Sequence, residues 1–529
     1  MSSVARFELV LLLLTAVIIL ELIARRFRMP PAAAFILGGI ALALSPRIPD
    51  VEMDPDLVLV LFLPPLLLSG AYFTVWRDFR ANLRIIMQLA IGAVVFTTAA
   101  VGFVVHWIVP SLPWAACFAL GAIVSPPDAV AAKAVLQRIA LPPRVTVLLE
   151  GESLVNDATG LVLFRFAVAA ALTGTFSVGS AIATFGALAI GGVAVGIAFG
   201  LLVTRWLTRM HDPTLSVLTS FLVAWVSYIV GEHLHVSGVL STVACGLVMG
   251  WKQHTVLSAA TRTQAGAVWE VVTFILESLI FVLIGLSLRG VLSRLGDNLH
   301  ALDSLIPAGL AAIGTVILAR FIWIGLGMYI ARLFRTERRI EPPPFAIYVI
   351  MSWAGMRGVV SLAAALSLPE NFAGRDFILA TTFAVILVTV LVQGSTLGPL
   401  IRWMRPDGFK ILNGNTLHED EARARVAQAQ LAEVEKHSLH PDNTHKHPRL
   451  VEQFTYRVRA TTRFSESKGA LVQHKREHFT VMLAAISAGR AEILRLHSTG
   501  SIHDSVLQTL ERDLDMEEMT ARRYLGESG

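Results

Sequence analysis

Charge is what this sequence has least of. Asp, Glu, Lys and Arg make up 16% of its 529 residues, where a soluble domain carries about a quarter. The shortage is uneven: up to about residue 400 the chain is a series of apolar runs, and from Arg402 onward it is polar. That excludes a single soluble domain. Residues 1–402 read as a multi-span membrane domain and 403–529 as a mainly helical, regulatory tail on the cytoplasmic side. There are only two cysteines, Cys117 and Cys245, both in apolar runs, so a disulfide framework is not suggested. The net charge of +5 is modest, and the basic residues sit in short loops. That is a topology signal, and nucleic acid is not an expected partner. No small-residue cleavage site ends the first apolar run, FELVLLLLTAVIILELIARRFR, and its positive charges follow it. The expectation is a retained first span.

Apolar runs bounded by charge, Pro or Gly predict an all-α protein of about thirteen spans. They lie near 7–24, 30–45, 56–73, 84–109, 114–136, 145–172, 178–204, 214–231, 236–250, 266–288, 305–331, 344–368 and 376–401. Alternate loops, beginning after the first span, hold nineteen basic residues against five in the other set. By the positive-inside bias the N-terminus is outside and the tail cytoplasmic.

Two spans are broken by residues a helix dislikes. Span five contains GAIVSPPDAVAAK, where Pro126 and Pro127 precede Asp128; proline removes a backbone donor and clashes with the preceding turn. Span twelve contains MSWAGMRGVVSLAAAL, where Gly355 and Gly358 flank Arg357. The breaks lie seven spans apart, so in a thirteen-span chain they cross the membrane in opposite senses. Paired interruptions of this kind point to inverted repeats and a transport site at the breaks; two unrelated kinks would be the plainer account of either break alone.

Between the breaks, LEGESLVNDATGLVLF places acids in an apolar stretch. On a helix Ser153, Asn156 and Asp157 share one face, while Glu152 is rotated toward another neighbour. Counted from Arg144, Asp157 lies about 20 Å in, near the middle of a ~30 Å hydrocarbon core. A carboxylate there costs at least ~2.5–3.5 kcal/mol. It is tolerable if it meets a wet cavity, a cation or a proton. Low polarity favours the neutral form of a carboxyl group, so one group can trade a proton for a cation near physiological pH. Ser153, Asn156 and the carbonyls freed around Pro127 would complete a hard-cation shell, with Asp128 as second acid. The plainer account is a buried acid in a fixed salt bridge. By depth, Glu152 (about 12 Å in) and Arg320 (about 18 Å in) are within reach of each other as a structural ion pair. Arg357 is the alternative partner, or a cap for the half-helix ends. Glu277 and Arg165 read as structural. HSLHPDNTHKHP reads as a solvated linker.

FLPPLLLSGAYF, AIVSPPDAVA, LEGESLVNDATGLVLF, HVSGVLSTVACGLVMG, ESLIFVLIGLSL and GMRGVVSLAAAL, in this order, resemble the sodium/proton exchanger family of monovalent cation:proton antiporters. The resemblance implies a homodimer in the cell (inner) membrane, each protomer with a dimerisation domain and a mobile core of crossed, broken helices. It implies elevator-like alternating access, with Na+ or, alternatively, Li+ or K+ exchanged for H+ and no cofactor. The family's Asn-Asp pair falls on Asn156 and Asp157, with Asp157 as ion and proton carrier. Its neighbouring Ser and Glu fall on Ser153 and Glu152, and its first broken-helix acid falls on Asp128. Its pairing arginine falls on Arg320 and its Gly-Leu-Arg-Gly arginine on Arg357. Members with Asn before Asp resemble electroneutral one-for-one exchangers. Two departures stand out: Ser69 occupies a place where animal members often have an acid, and Pro127–Asp128–Ala129 replaces an Asp-Pro order. A K+-preferring antiporter, a proton-coupled carrier of another solute, a channel, and a sensor in which the tail does the work remain alternatives. An enzyme is not expected: GESLV lacks the second glycine of a nucleophile elbow, and GEHLHVSG lacks zinc-protease histidine spacing.

Overall fold

In the computed structural model the described residues are 3–45, 55–128, 143–174, 177–295, 306–333, 345–404, 419–439, 445–466 and 472–525. They are helical nearly throughout, with one isolated bridge, Leu439 to His445, and no named strand among them. The chain divides into two compact units, 1–410 and 411–529.

The first unit begins with α1 (Ser3–Phe27), α2 (Pro31–Ala43), α3 (Pro55–Phe73), α4 (Trp76–Ile108) and α5 (Trp114–Val124). It continues with α6 (Pro143–Thr173), α7 (Val178–Leu207), α8 (Pro213–His233), α9 (Gly238–Val256) and α10 (Ala259–Leu295). It closes with α11 (Ile306–Leu333), α12 (Phe345–Trp353), α13 (Val359–Leu366) and α14 (Arg375–Met404). Helix starts follow local chemistry. Asp212 accepts the Leu215 N–H at 3.0 Å with Pro213 at the first helical position of α8, and Ser237 accepts the Leu240 N–H at 3.2 Å to open α9. Such caps satisfy donors that a helix leaves unpaired at its N-terminus.

Eight of these helices (α1, α4, α6, α7, α8, α10, α11 and α14) are long and apolar enough to cross a membrane. The expected thirteen also counts α2, α3, α5, α9 and the broken α12–α13 pair, which are shorter, more polar or interrupted. The second half of the fifth span, from Ala129 on, lies outside the described residues, as do residues 440–444 of the histidine-rich segment. Many apolar side chains face outward: Ile182 and Ile190 on α7 are 68% and 74% exposed. Such a surface is at home in lipid, which offers no hydrophobic drive for helices to associate.

Close packing therefore rests on small residues. On α7, Gly192, Gly196 and Gly200 recur every four residues and lie against the backbone of Ser237, Ser241 and Cys245 on α9. On α9, Gly246 and Gly250 meet the α3 backbone at Leu68 and Tyr72. At the α2–α10 crossing Gly39 faces Gly285, and a methyl on Gly285 would fall 2.7 Å from both the Gly39 Cα and the Ile40 nitrogen. Gly285→Ala must push two backbones apart, so it is expected to destabilise the fold by about 1–3 kcal/mol. Thermal unfolding in detergent reads this as a lowered midpoint; an unmoved midpoint would show that the crossing has room to spare.

Two long helices carry π-turns, Gln88–Ala93 in α4 and Thr389–Gln393 in α14. A π-turn frees backbone and side-chain groups for tertiary contacts. The Trp323 indole N–H donates to the Gln88 carbonyl at 3.1 Å, and the Thr389 hydroxyl accepts the Arg357 N–H at 3.1 Å.

The second unit contains α15 (Glu419–Ser438), α16 (Pro448–Glu466), α17 (Val472–Ser498) and α18 (Asp504–Leu525). Arg490 on α17 bridges Asp515 and Glu518 of α18 at 2.7 and 2.6 Å. Tyr524 stacks on Phe479 with centroids 4.5 Å apart, and the Arg423 guanidinium of α15 lies 4.6 Å from the same tyrosine ring.

Candidate functional site

The site is built where the two interrupted helices meet. α5 stops at Val124 because Pro126 and Pro127 cannot continue its hydrogen-bond ladder, and Ser125–Asp128 runs on as irregular chain. The second interruption, Ala354–Gly358, separates α12 from α13. The two segments touch directly: the Asp128 N–H donates to the Met356 carbonyl at 2.6 Å. The Asp128 carboxylate occupies the space that a side chain on Gly358 would need, which explains glycine there. That position is the N-terminal end of α13, where unpaired N–H groups and the helix dipole favour negative charge.

Arg357 fastens the crossing. Its Nε donates to the Val124 carbonyl at 2.8 Å, one terminal nitrogen to the Ser125 carbonyl at 3.2 Å, and the other to the Gly355 carbonyl. These include the orphan carbonyls at the C-terminal end of α5, where a cation is favoured by the dipole. Of the two readings left open for Arg357, capping the half-helix is the one the geometry shows. The side chain is 2% exposed.

Glu152 turns the other way. Both its oxygens accept from Arg320, at 2.6 and 2.8 Å, and the Arg320 Nε donates to the Met351 carbonyl at 3.0 Å. With Glu152 1% and Arg320 3% exposed, this is a bidentate, water-excluded pair. It ties α6 to α11 and, through Met351, to the end of α12 just before the second interruption.

Asn156 is fully buried, and its amide nitrogen donates to the Pro127 carbonyl at 2.5 Å. Its Oδ1 has no partner among the described residues. The pair braces the first interruption against α6. Neither Asn156 nor Pro127 lines the cavity described next, although Asn156 was expected to share a face with Ser153 and Asp157. A step of 100° between neighbours on a helix is enough to separate it from Asp157.

Glu150, Ser153 and Asp157, at i, i+3 and i+7, do form one stripe, and it lines a cavity of about 160 Å³ together with Asp128. Ser69 of α3 and Glu277 of α10 line it as well. The rest of its wall is largely apolar, and no Lys, Arg or His lines it among the described residues. Four carboxyl groups thus line one small cavity, a lining that disfavours anions. Glu277, read from the sequence as structural, lines this cavity, and Arg165, read likewise, lies 3.6 Å from Glu232 at the end of α8. An acid facing a cavity and one facing a neighbouring helix look alike in an apolar run. His106 is a satisfied imidazole, with Nδ1 2.9 Å from the Leu112 carbonyl and its ring stacked on Trp114.

A family model described as sodium/hydrogen exchanger, transmembrane, matches residues 10–403. The chain belongs to the sodium/hydrogen exchanger family. An exchanger of Mycobacterium tuberculosis, itself named as uncharacterized, is 33% identical across 96% of this chain and 94% of its own length. A Bacillus subtilis protein named sodium, potassium, lithium and rubidium/H+ antiporter is 30% identical across 96% of this chain and 76% of its own. Among solved structures, the sodium proton antiporter MjNhaP1 of Methanocaldococcus jannaschii matches with a TM-score of 0.60 at 20% identity. It covers 78% of this chain and 100% of that one, so the exchanger fold is shared. The crossed interruptions and the acid-lined cavity lie within the portion that the family model covers.

Proposed function

We propose that this exchanger moves a monovalent cation, Na+ foremost with Li+ and K+ as alternatives, in one-for-one trade for a proton on Asp157. The observation that carries the reading is the cavity that Asp157 and Asp128 line beside two crossed helix interruptions. Ionised, Asp157 supplies the charge that holds a cation, with the Ser153 hydroxyl beside it; protonated, it holds none. Because one carboxyl serves both ions, a cycle exchanges one charge for one and is electroneutral. The crossed segments move as one body in an elevator-like swing, since Arg357 and the Asp128–Met356 bond join them. The Glu152–Arg320 pair holds that body together without touching the ion. The protein works as a homodimer in the cell (inner) membrane, with the N-terminus outside and the second unit as a cytoplasmic regulatory tail. The wide cation range in the name of the Bacillus subtilis relative favours keeping K+ among the substrates.

Proteoliposomes holding a pH dye test this. Added Na+, Li+ or K+ should drive proton movement whose rate is indifferent to membrane potential. Because protons compete for Asp157, the apparent KM for Na+ should rise as pH falls, by up to about tenfold per pH unit in the range where the proton wins. Silence toward all three cations ends the proposal; a KM independent of pH ends the shared-carboxyl part of it.

A further inference from the structure

The carrier carboxyl does not account for the α10 wall of the cavity. α10 is apolar through its middle, yet Thr273 and Glu277, four residues apart, both line the cavity. A carboxyl at membrane depth is rare and marks an ion path or a specific partner. The Thr273 hydroxyl donates back to the Trp269 carbonyl at 2.7 Å. Its proton is thus committed to its own helix, and its oxygen remains an acceptor.

An independent observation comes from α13. Ser361 lines the same cavity and is only 2% exposed, and among the described residues no side-chain hydrogen bond engages its hydroxyl. A hydroxyl on a buried residue that opens on a polar cavity, and not on protein, finds its partner in what fills that cavity. The ligand's sign follows from the lining, which has carboxyl groups and, among the described residues, no basic side chain. One carboxylate with two neutral hydroxyl oxygens is a donor set suited to a hard, partly hydrated cation. These oxygens sit on α10 and α13, whereas Ser153 and Asp157 sit on α6 and Asp128 on the irregular chain after α5.

We propose that Glu277, with Ser361 and Thr273, forms a second monovalent-cation site in this cavity, where an incoming ion is held before it displaces the proton from Asp157. Its part in turnover rests on the antiport reading; its binding of a cation does not. Holding a cation there raises its local concentration beside the carrier, so the site governs apparent affinity more than maximal rate.

The test combines binding and transport on the full chain. Equilibrium binding of radiolabelled Na+ to purified protein, and dye-reported exchange in liposomes, are measured for wild type, Glu277→Gln, Glu277→Asp and Ser361→Ala. Glu277→Gln should weaken Na+ binding and raise the apparent KM on the order of tenfold, with kcat falling far less. Glu277→Asp should restore much of the affinity, and Ser361→Ala should shift the preference among Li+, Na+ and K+. Unchanged binding and KM in Glu277→Gln overturn the site. So does a fall in kcat with KM unmoved, which marks a merely structural acid. A wild type that binds Na+ through Glu277 but exchanges no protons keeps the site and overturns the antiport reading. A wild type that exchanges normally, with Glu277 irrelevant to binding, does the reverse. No Na+ binding by any variant overturns both.

Discussion

Asp157→Asn is expected to abolish exchange to the level of empty liposomes, while the protein still folds. The substitution keeps the size of the side chain and removes both things the cycle needs, a negative charge for the cation and a titrating proton. It also relieves the cost of a charge at membrane depth, ~2.5–3.5 kcal/mol or more, so thermal stability should be equal to wild type or higher. Loss of exchange with retained stability is the signature of a functional acid. Near-normal turnover would move the carrier role to Asp128, which lines the same cavity. Loss of both turnover and stability would mark Asp157 as structural.

Glu152→Gln is expected to produce the opposite pattern. Arg320 would be left buried with its charge uncompensated, and breaking a buried pair from one side costs about 3–5 kcal/mol. Expression yield and the unfolding midpoint in detergent should both fall sharply. The double change Glu152→Gln with Arg320→Gln should recover much of the stability, because two neutral amides remove the unpaired charge. Equal stability of the single variant and wild type would show that the 2.6 and 2.8 Å contacts contribute little. The contrast between the variants tests the proposed carrier role of Asp157 against the helix-holding role of Glu152.

Several of these relations are legible in the sequence for identifiable reasons. Helical periodicity is local, so the stripe through Ser153 and Asp157 follows from residue spacing alone. Depth is also local, since each residue adds a fixed rise; that is why Glu152 and Arg320, more than 160 positions apart, can be paired by counting inward from Arg144 and Arg332. Proline and glycine announce the interruptions, because they act on the backbone of their own segment. What spacing does not carry is which side of a helix meets a cavity. Asn156, next to Asp157, turns to the Pro127 carbonyl, and Glu277 turns to the cavity, because of where α5 and α13 lie. Arg357 contacts carbonyls at positions 124 and 125, and backbone carbonyls have no signature in a sequence. Short and broken spans carry little composition signal for a related reason: they cross only with the support of their neighbours.

The hydrogen bond from Asn156 to Pro127 bears on how many protons a cycle can count. An amide always has a donor for that carbonyl. An aspartate in the same place has one only when protonated, and when ionised it would set negative charge against a carbonyl oxygen. Such a variant could keep the brace only by carrying a proton of its own, and releasing that proton would loosen the crossing. On the one-for-one reading proposed above, the amide nitrogen of Asn156 keeps the brace without adding a second titrating group beside Asp157.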